Sequence, residues 1–202
     1  SVDLNLEGKQ ITQEVSLAPG ERKVVVFIPD VYEALVLKSP RLWWPNNYGR
    51  QELYTMDVAV AEKGVPSDSK KVRFGVRELS YELEICFPDD SIRRMEYRPT
   101  VMGQGEPVFD NINRKYIEGG MCMPRLKKNV SSDILVPAPD KAMQHYMVIK
   151  VNGKRIFCKG GNWGMDDAMK RVSREHLEPY FRLHKEANFN MIRNWTGEST
   201  EE

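Results

Sequence analysis

Short runs of alternating hydrophobic and polar residues fill the chain from Val2 to Arg77. The clearest runs predict β-strands at residues 24–28, 34–37 and 54–60. Turn-forming residues separate the runs, at Gly8, Pro19-Gly20, Pro29-Asp30 and residues 64–67. Because no helical periodicity interrupts them, these strands predict an antiparallel β-sandwich of immunoglobulin-like type over residues 1–80.

The alternating pattern is lost in the middle of the chain. Residues 84–147 hold six of the 12 prolines and six of the 10 methionines, with little sustained periodicity. Long irregular stretches in compact proteins are commonly functional loops or partly disordered insertions. We predict an ordered insertion or linker over residues 81–147, and the sequence leaves its regular structure open.

A β-hairpin is predicted after this insertion. Asn152-Gly153 separates the β-rich runs 148–151 and 155–158, and Asn-Gly is the strongest short signal for a tight hairpin turn. Residues 160–164 contain three glycines and predict a loop.

A helix and then a strand are predicted near the end of the chain. Ser173 is a suitable N-cap, and apolar or aromatic side chains recur behind it at three- and four-residue spacing, at Leu177, Tyr180, Phe181, His184 and Ala187. Residues 189–195 then predict a short strand. A loop, a helix and a strand in this order open a β/α repeat.

Charge and cysteine content exclude several classes of function. The chain has 30 Lys and Arg against 29 Asp and Glu, which provides no concentrated positive field for nucleic acid. No apolar run approaches the ~20 residues of a membrane span, and the N-terminus lacks a signal-peptide pattern. Cys86, Cys122 and Cys158 form no Cys-x-x-Cys pair, so we predict no metal site and no disulfide framework. Cys158 is interpreted as a small buried hydrophobic residue.

Four segments resemble glycoside hydrolase family 2, in its β-mannosidase and exo-β-glucosaminidase branch. They lie in the family's order along the chain: residues 42–54, which contain L-W-W-P-N-N-Y-G, residues 74–78, residues 151–163 with Asp167, and residues 190–195. The resemblance implies that residues 148–202 are the truncated start of a (β/α)8 barrel. It also suggests a periplasmic or secreted protein, although the chain itself leaves the location unknown.

The resemblance further implies a retaining exo-acting enzyme that removes β-mannosyl or β-glucosaminyl residues from oligosaccharides. Such enzymes use two glutamates about 5 Å apart, one as acid/base and one as nucleophile, and need no cofactor. Both are expected downstream of Glu202, so we assign no catalytic residue to this chain. Glu198, Glu201 and Glu202 do not match the family's catalytic motifs.

Five residues of the matched segments are candidates for supporting the sugar pocket: Arg193, Trp195, Asn162, Trp163 and Asp167. Arg193 would hold a catalytic carboxylate, and Trp195 would present an aromatic surface to a pyranose ring. Asn162, Trp163 and Asp167 would lie in the loop after the entry strand, where amide and carboxylate groups can bind sugar hydroxyls. Without the resemblance, packing would be the simpler role for both tryptophans and a surface charge for Arg193.

Other features of the matched segments favour structural roles or depart from the family. Trp43 and Trp44 are interpreted as packing a loop against the barrel rather than as a platform for sugars. Thr196-Gly197-Glu198 stands where the family continues G-G-G after the tryptophan, which changes the expected shape of the pocket. The long stretch 84–147 is predicted to reach over the active-site mouth and to narrow substrate choice.

Two functions are therefore open. The chain is either a non-catalytic part of a β-glycosidase that packs on the remainder of its barrel, or a free-standing β-sandwich module that binds glycans or a protein. The first interpretation predicts an exposed apolar patch at Leu177, Phe181 and Ile192, through which the chain could dimerise.

Overall fold

The computed structural model describes residues 1–99, 107–116, 122–128, 130, 135–138, 147–164, 169 and 172–194. In chain order its strands are β1 (Val2–Leu6), β2 (Lys9–Gln13), β3 (Tyr54–Glu62), β4 (Val65–Phe74), β5 (Leu79–Cys86), β6 (Ile92–Tyr97), β7 (Phe109–Tyr116), β8 (Cys122–Leu126), β9 (Leu135–Pro137), β10 (Val148–Val151), β11 (Lys154–Ile156), β12 (Gly160–Trp163) and β13 (Met191–Asn194). One α-helix, α1 (Arg174–Glu186), lies between β12 and β13. The described part of the chain is mainly β, as predicted.

The chain divides into two compact units. The first comprises Ser1–Trp44 and Gly49–Val76, and the second comprises Pro45–Tyr48 and the described residues from Arg77 onward.

The first unit is built on one antiparallel sheet, in the order β2-β1-β3-β4. Alternate side chains of a strand point to the same face, and here they form a buried core of Leu4, Leu6, Ile11 and Tyr54. Side chains from outside the sheet pack on this core, including Phe27, Tyr32, Ala34, Leu35 and Leu37.

Two of the three strands predicted in this unit are wrong. Residues 24–28 form no strand, and the segment 34–37 instead contributes to a short 3-10 helix, Glu33–Leu35. Val24 is 87% exposed, whereas Phe27 packs on the core. β-branched residues favour extended backbone, but a strand also needs a neighbouring strand to bond with. The third prediction, residues 54–60, is confirmed as part of β3.

The second unit holds a seven-stranded sheet, five strands of which run in the order β11-β10-β5-β6-β9. β7 and β8 are antiparallel, and β8 also joins β5 in parallel where Cys86 pairs with Arg125. The apolar core consists of Ile85, Met95, Val108, Leu126 and Leu135. Most of this sheet comes from the stretch whose regular structure the sequence left open.

Buried polar residues explain why these strands were not predicted. Ser80 and Glu82 on β5 and Glu96 on β6 are buried, at positions where strands in a sheet interior are usually apolar. Lys150 donates to Glu96 and Arg155 to Glu82. Lys150 and Arg155 lie 54 and 73 residues along the chain from these carboxylates, so no local pattern reveals either contact.

The predicted hairpin is confirmed as β10 and β11. Asn152 and Gly153 both have positive φ, 50° and 75°, as the tight turn between right-twisted strands requires. Asn152 also accepts a hydrogen bond from the Glu78 N–H at 2.9 Å through its side-chain oxygen.

The predicted loop at residues 160–164 is wrong over Gly160–Trp163, which form β12 and pair in parallel with β13. Glycine is depleted in strands, which is why the sequence indicated a loop. A glycine is required at residue 160, because a Cβ there would overlap with the Met191 carbonyl oxygen. β12, α1 and β13 therefore form a parallel β-α-β unit.

The helix start and the last strand are confirmed. The Ser173 hydroxyl accepts a hydrogen bond from the His176 N–H and caps α1. Leu177 is only 5% exposed, so its predicted place in an exposed apolar patch is wrong.

Cys158 is exposed, which corrects its interpretation as a buried residue. Among the described residues no helix is both long and apolar enough to cross a membrane.

Candidate functional site

The β12–β13 pair brings two of the predicted site residues together. Asn162 pairs directly with Arg193 across the two parallel strands. Residues paired in this way project from the same face of a sheet. Both side chains are exposed. An amide and a guanidinium therefore lie side by side on this face, which supplies several hydrogen-bond donors for oxygen atoms of a ligand.

Trp163 lies on the opposite face, against α1. Its indole ring is 5.3 Å from the Tyr180 ring, 6.1 Å from Phe181 and 5.9 Å from His184, and the residue is buried. Because side chains alternate along a strand, burial of Trp163 turns Asn162 outward. Trp163 supports the Asn162–Arg193 face from behind. Asp167 and Trp195, the remaining predicted site residues, lie outside the described residues.

Asn190 ties β13 to the chain segment that leads into β12. Its side-chain oxygen accepts from the Lys159 N–H at 2.9 Å, and its Nδ2 donates to the Phe157 carbonyl at 3.0 Å. The backbone N–H groups of Asn190 and Met191 both donate to the Lys159 carbonyl. No pattern in the sequence indicated a role for Asn190, although it opens the matched segment 190–195.

The segment Pro45–Tyr48 holds the end of α1. Asn46 Nδ2 donates to the carbonyls of Lys185 and Phe189 at 3.0 and 3.1 Å, and Asn47 Nδ2 donates to that of Asn188 at 3.1 Å. Lys185 lies in the last turn of the helix, where carbonyl groups lack an intrahelical partner, and Asn188 and Phe189 directly follow the helix. Within the motif L-W-W-P-N-N-Y-G, the contact with the helix end is thus made by asparagines.

Tyr48, the last residue of the same segment, contacts the residue that follows β11. Its hydroxyl accepts from the Phe157 N–H at 2.8 Å, and the Lys154 ammonium lies 5.5 Å from its ring centre. Trp43 and Trp44, by contrast, pack against Gly75 and Gly49 within the first unit. Asn46, Asn47 and Tyr48 were not among the residues predicted to be functional. Polar residues with an aromatic in a loop were the signal that could have indicated them.

A second cluster of charges is buried in the seven-stranded sheet. Arg155 donates to both oxygens of Glu82 at 3.0 and 2.8 Å, and Lys150 and Ser80 donate to Glu96. Burial pushes the pKa of Glu96 upward, but the hydrogen bonds from Lys150 and Ser80 outweigh it and lower the pKa. Both carboxylates are engaged by cations, so the cluster is suited to holding strands together rather than to transferring protons.

No group of three or more His, Cys, Asp or Glu side chains in the described residues is arranged to hold a metal ion.

Comparison with known proteins identifies one family. Residues 2–77 match the model of the glycosyl hydrolases family 2. The chain is 36% identical to β-mannosidase B of Emericella nidulans over 96% of its length, and 38% identical to an exo-β-D-glucosaminidase of Streptomyces avermitilis over 90%. It is also 28% identical to a mannosylglycoprotein endo-β-mannosidase of Lilium longiflorum over 96%.

These relatives are much longer than the chain, which covers 16%, 14% and 14% of their respective lengths. No solved structure matches. The family model covers nearly all of the first unit, and the similarity to these relatives extends over both units. The chain therefore belongs to glycoside hydrolase family 2.

Proposed function

We propose that the protein is part of a retaining β-glycosidase that removes terminal β-mannosyl or β-glucosaminyl residues from oligosaccharides. The observation that carries the proposal is similarity over 90–96% of the chain to enzymes named β-mannosidase and exo-β-D-glucosaminidase. In this proposal the chain supplies an immunoglobulin-like sandwich domain and the opening of a (β/α)8 barrel, and the catalytic glutamates lie elsewhere in the enzyme.

The parallel β12–α1–β13 unit supports the barrel part of the proposal. A strand, a helix and a second strand parallel to the first are the repeat from which (β/α)8 barrels are built. Active sites of such barrels lie at the C-terminal ends of the strands. Asn162 and Arg193 each stand third in a strand of four residues, toward that end.

The chemistry of the pair suits a sugar pocket. A guanidinium can bind a carboxylate with two parallel hydrogen bonds, so Arg193 would hold a catalytic glutamate ionised and in position. Asn162 would exchange hydrogen bonds with sugar hydroxyls. Trp195, two residues beyond Arg193, would face the same pocket and pack on a pyranose ring, and Asp167 would bind a further hydroxyl.

The test compares the 202-residue chain with the full-length enzyme on aryl β-mannoside and aryl β-glucosaminide. We expect turnover by the full-length enzyme alone, with the better substrate identifying the sugar. Turnover by the chain itself would contradict the proposed position of the glutamates.

The lily relative is named an endo-acting enzyme, so a mannose-containing glycan is included among the substrates. Cleavage of that glycan alone would replace exo by endo action.

Arg193→Lys in the full-length enzyme tests the role of the guanidinium. Lysine keeps the charge but loses the two-point bond to a carboxylate, so we expect kcat/KM to fall by about two orders of magnitude. Arg182→Lys, on the exposed surface of α1, is the matched control and should leave kcat/KM unchanged. Equal activity of the two variants would remove Arg193 from the pocket.

A further inference from the structure

A cleft of about 640 Å³ opens beside β7 and β8 in the second unit. We call it the β7–β8 cleft. Its volume lies within the range of roughly 300–1,000 Å³ that is usual for small-molecule sites. Asp110 is the one carboxylate among the described residues that line it. Four cationic side chains also line it, those of Arg114, Arg125, Lys127 and Lys128. The lining is therefore strongly positive, in a chain whose overall charge is only +1.

A β-bulge shapes one wall of the cleft. Asp110 pairs with Arg125 and Lys115 pairs with Met123, so four residues of β7 lie opposite one residue of β8. Bulges of this kind re-aim side chains and are common beside functional sites.

Hydrogen bonds fix the bulge in place. The Asp110 carboxylate accepts from the N–H groups of Ile112 and Asn113 at 2.8 and 2.9 Å and from Asn113 Nδ2 at 2.9 Å. These bonds lower the pKa of Asp110 to about 2, so its charge is present at neutral pH. Arg125 donates to the Asn113 carbonyl at 2.9 Å and to Asp90 at 2.7 Å.

The fold thus uses Asp110 and Arg125, together with Asp90, to build the wall. Counting both aspartates, the four lining cations leave an excess of two positive charges. Lys127 is half-buried and Lys128 is exposed. Their ammonium groups carry donors on flexible stems that can adapt to an oxyanion.

We propose that the β7–β8 cleft binds a compact anion through a phosphate or sulfate group, the chemistry shared by free inorganic anions and by phosphorylated or sulfated sugars. Recognition is ionic rather than by stacking, because none of the described residues that line the cleft is aromatic. The proposal does not depend on the glycosidase activity proposed above.

Calorimetric titration of the protein at low ionic strength tests the proposal, with inorganic phosphate, glucose 6-phosphate and glucose as probes. The variant Lys127→Gln/Lys128→Gln removes two cations from the cleft, and Lys70→Gln/Lys71→Gln removes an adjacent exposed pair from β4 as the control. Charge-assisted hydrogen bonds contribute enough that we expect the cleft variant to weaken anion binding at least about tenfold. The control should bind as the unchanged protein does.

The two phosphates distinguish the possible ligands, and glucose, which carries no charge, should not bind. Equal affinity for the two phosphates assigns the cleft to the free anion, and tighter binding of glucose 6-phosphate assigns it to a phosphorylated sugar. If neither phosphate binds below about 10 mM, or if the two double variants weaken binding equally, the proposal is overturned. Lys128→Gln alone, at an exposed side chain, repeats the test should the double variant fail to fold.

Discussion

Gly160 lies where β12 meets β13, and a side chain at this position would overlap with the Met191 carbonyl oxygen. We expect Gly160→Ala to destabilise the second unit by more than about 2 kcal/mol, because backbone atoms must move apart to admit the methyl group. Gly161→Ala is the matched control, since nothing lies within 4 Å of its added carbon. Urea unfolding, with hydrogen exchange of the β13 amides, measures both variants. Equal losses would contradict the close approach.

Glu82 is 0% exposed, and its carboxylate accepts two hydrogen bonds from Arg155. Glu82→Gln removes the negative charge that Arg155 and Arg94 face, whereas Lys150 keeps its hydrogen bond to Glu96. We expect a loss of about 3–5 kcal/mol in the free energy of unfolding. Urea unfolding measures it.

Glu178→Gln is the control for Glu82, because it breaks an exposed ion pair with Arg174 on α1. Such pairs contribute at most about 1 kcal/mol. A loss from Glu82→Gln as small as that of the control would show that the buried cluster adds little to stability.

At the scale of elements, the end of α1 depends on a loop from a distant part of the chain. Asn46→Asp replaces the donors that bind two carbonyls with a carboxylate, at a helix end that already carries partial negative charge. We expect a loss of about 1–3 kcal/mol and faster hydrogen exchange near residue 188. Thermal unfolding and exchange together measure it.

Asn5→Asp is the control for Asn46, because the Asn5 side chain acts as an acceptor for the Gly8 N–H. A carboxylate keeps that bond, so this variant should be nearly neutral. If Asn46→Asp were also neutral, the loop would not hold the helix end.

At the scale of the whole molecule, acid should destabilise the protein. Hydrogen bonds and neighbouring cations lower the pKa of seven carboxyl groups among the described residues: Asp3, Glu7, Asp89, Asp90, Glu96, Asp110 and Glu175. A pKa that is lower in the folded state gives stability above the unfolded value, about 4, that is lost as pH falls through the folded value. Tm should therefore fall steeply below about pH 4.

Asp110→Asn tests one contribution to this acid sensitivity. With the pKa of Asp110 at about 2, the variant should flatten the fall of Tm between about pH 4 and pH 2. Asp57→Asn, at an exposed carboxylate on β3, removes the same charge and is the control. Identical pH profiles for both variants would contradict the role given to the bonds around Asp110.

Local patterns in the sequence are enough to predict the mainly β character, the Asn152-Gly153 hairpin, the helix start at Ser173 and the last strand. Each rests on a local signal: a turn dipeptide, an N-cap, or a short period of apolar residues. The motifs also indicated the family and placed Asn162 and Arg193 in matched segments. Predictions from local patterns are wrong at residues 24–28, where no strand forms, and at the glycines of β12, where a strand forms instead of a loop.

Contacts between residues far apart in the sequence become visible only in the folded protein. Asn46 and its Lys185 partner are 139 residues apart, and Arg155 is 73 residues from Glu82. Buried carboxylates on β5 and β6 are stabilised by hydrogen bonds from cations of β10 and β11, which are distant in sequence and close in the folded protein. The pairing of Asn162 with Arg193 likewise depends on the register of two strands that a helix separates, which no local pattern specifies.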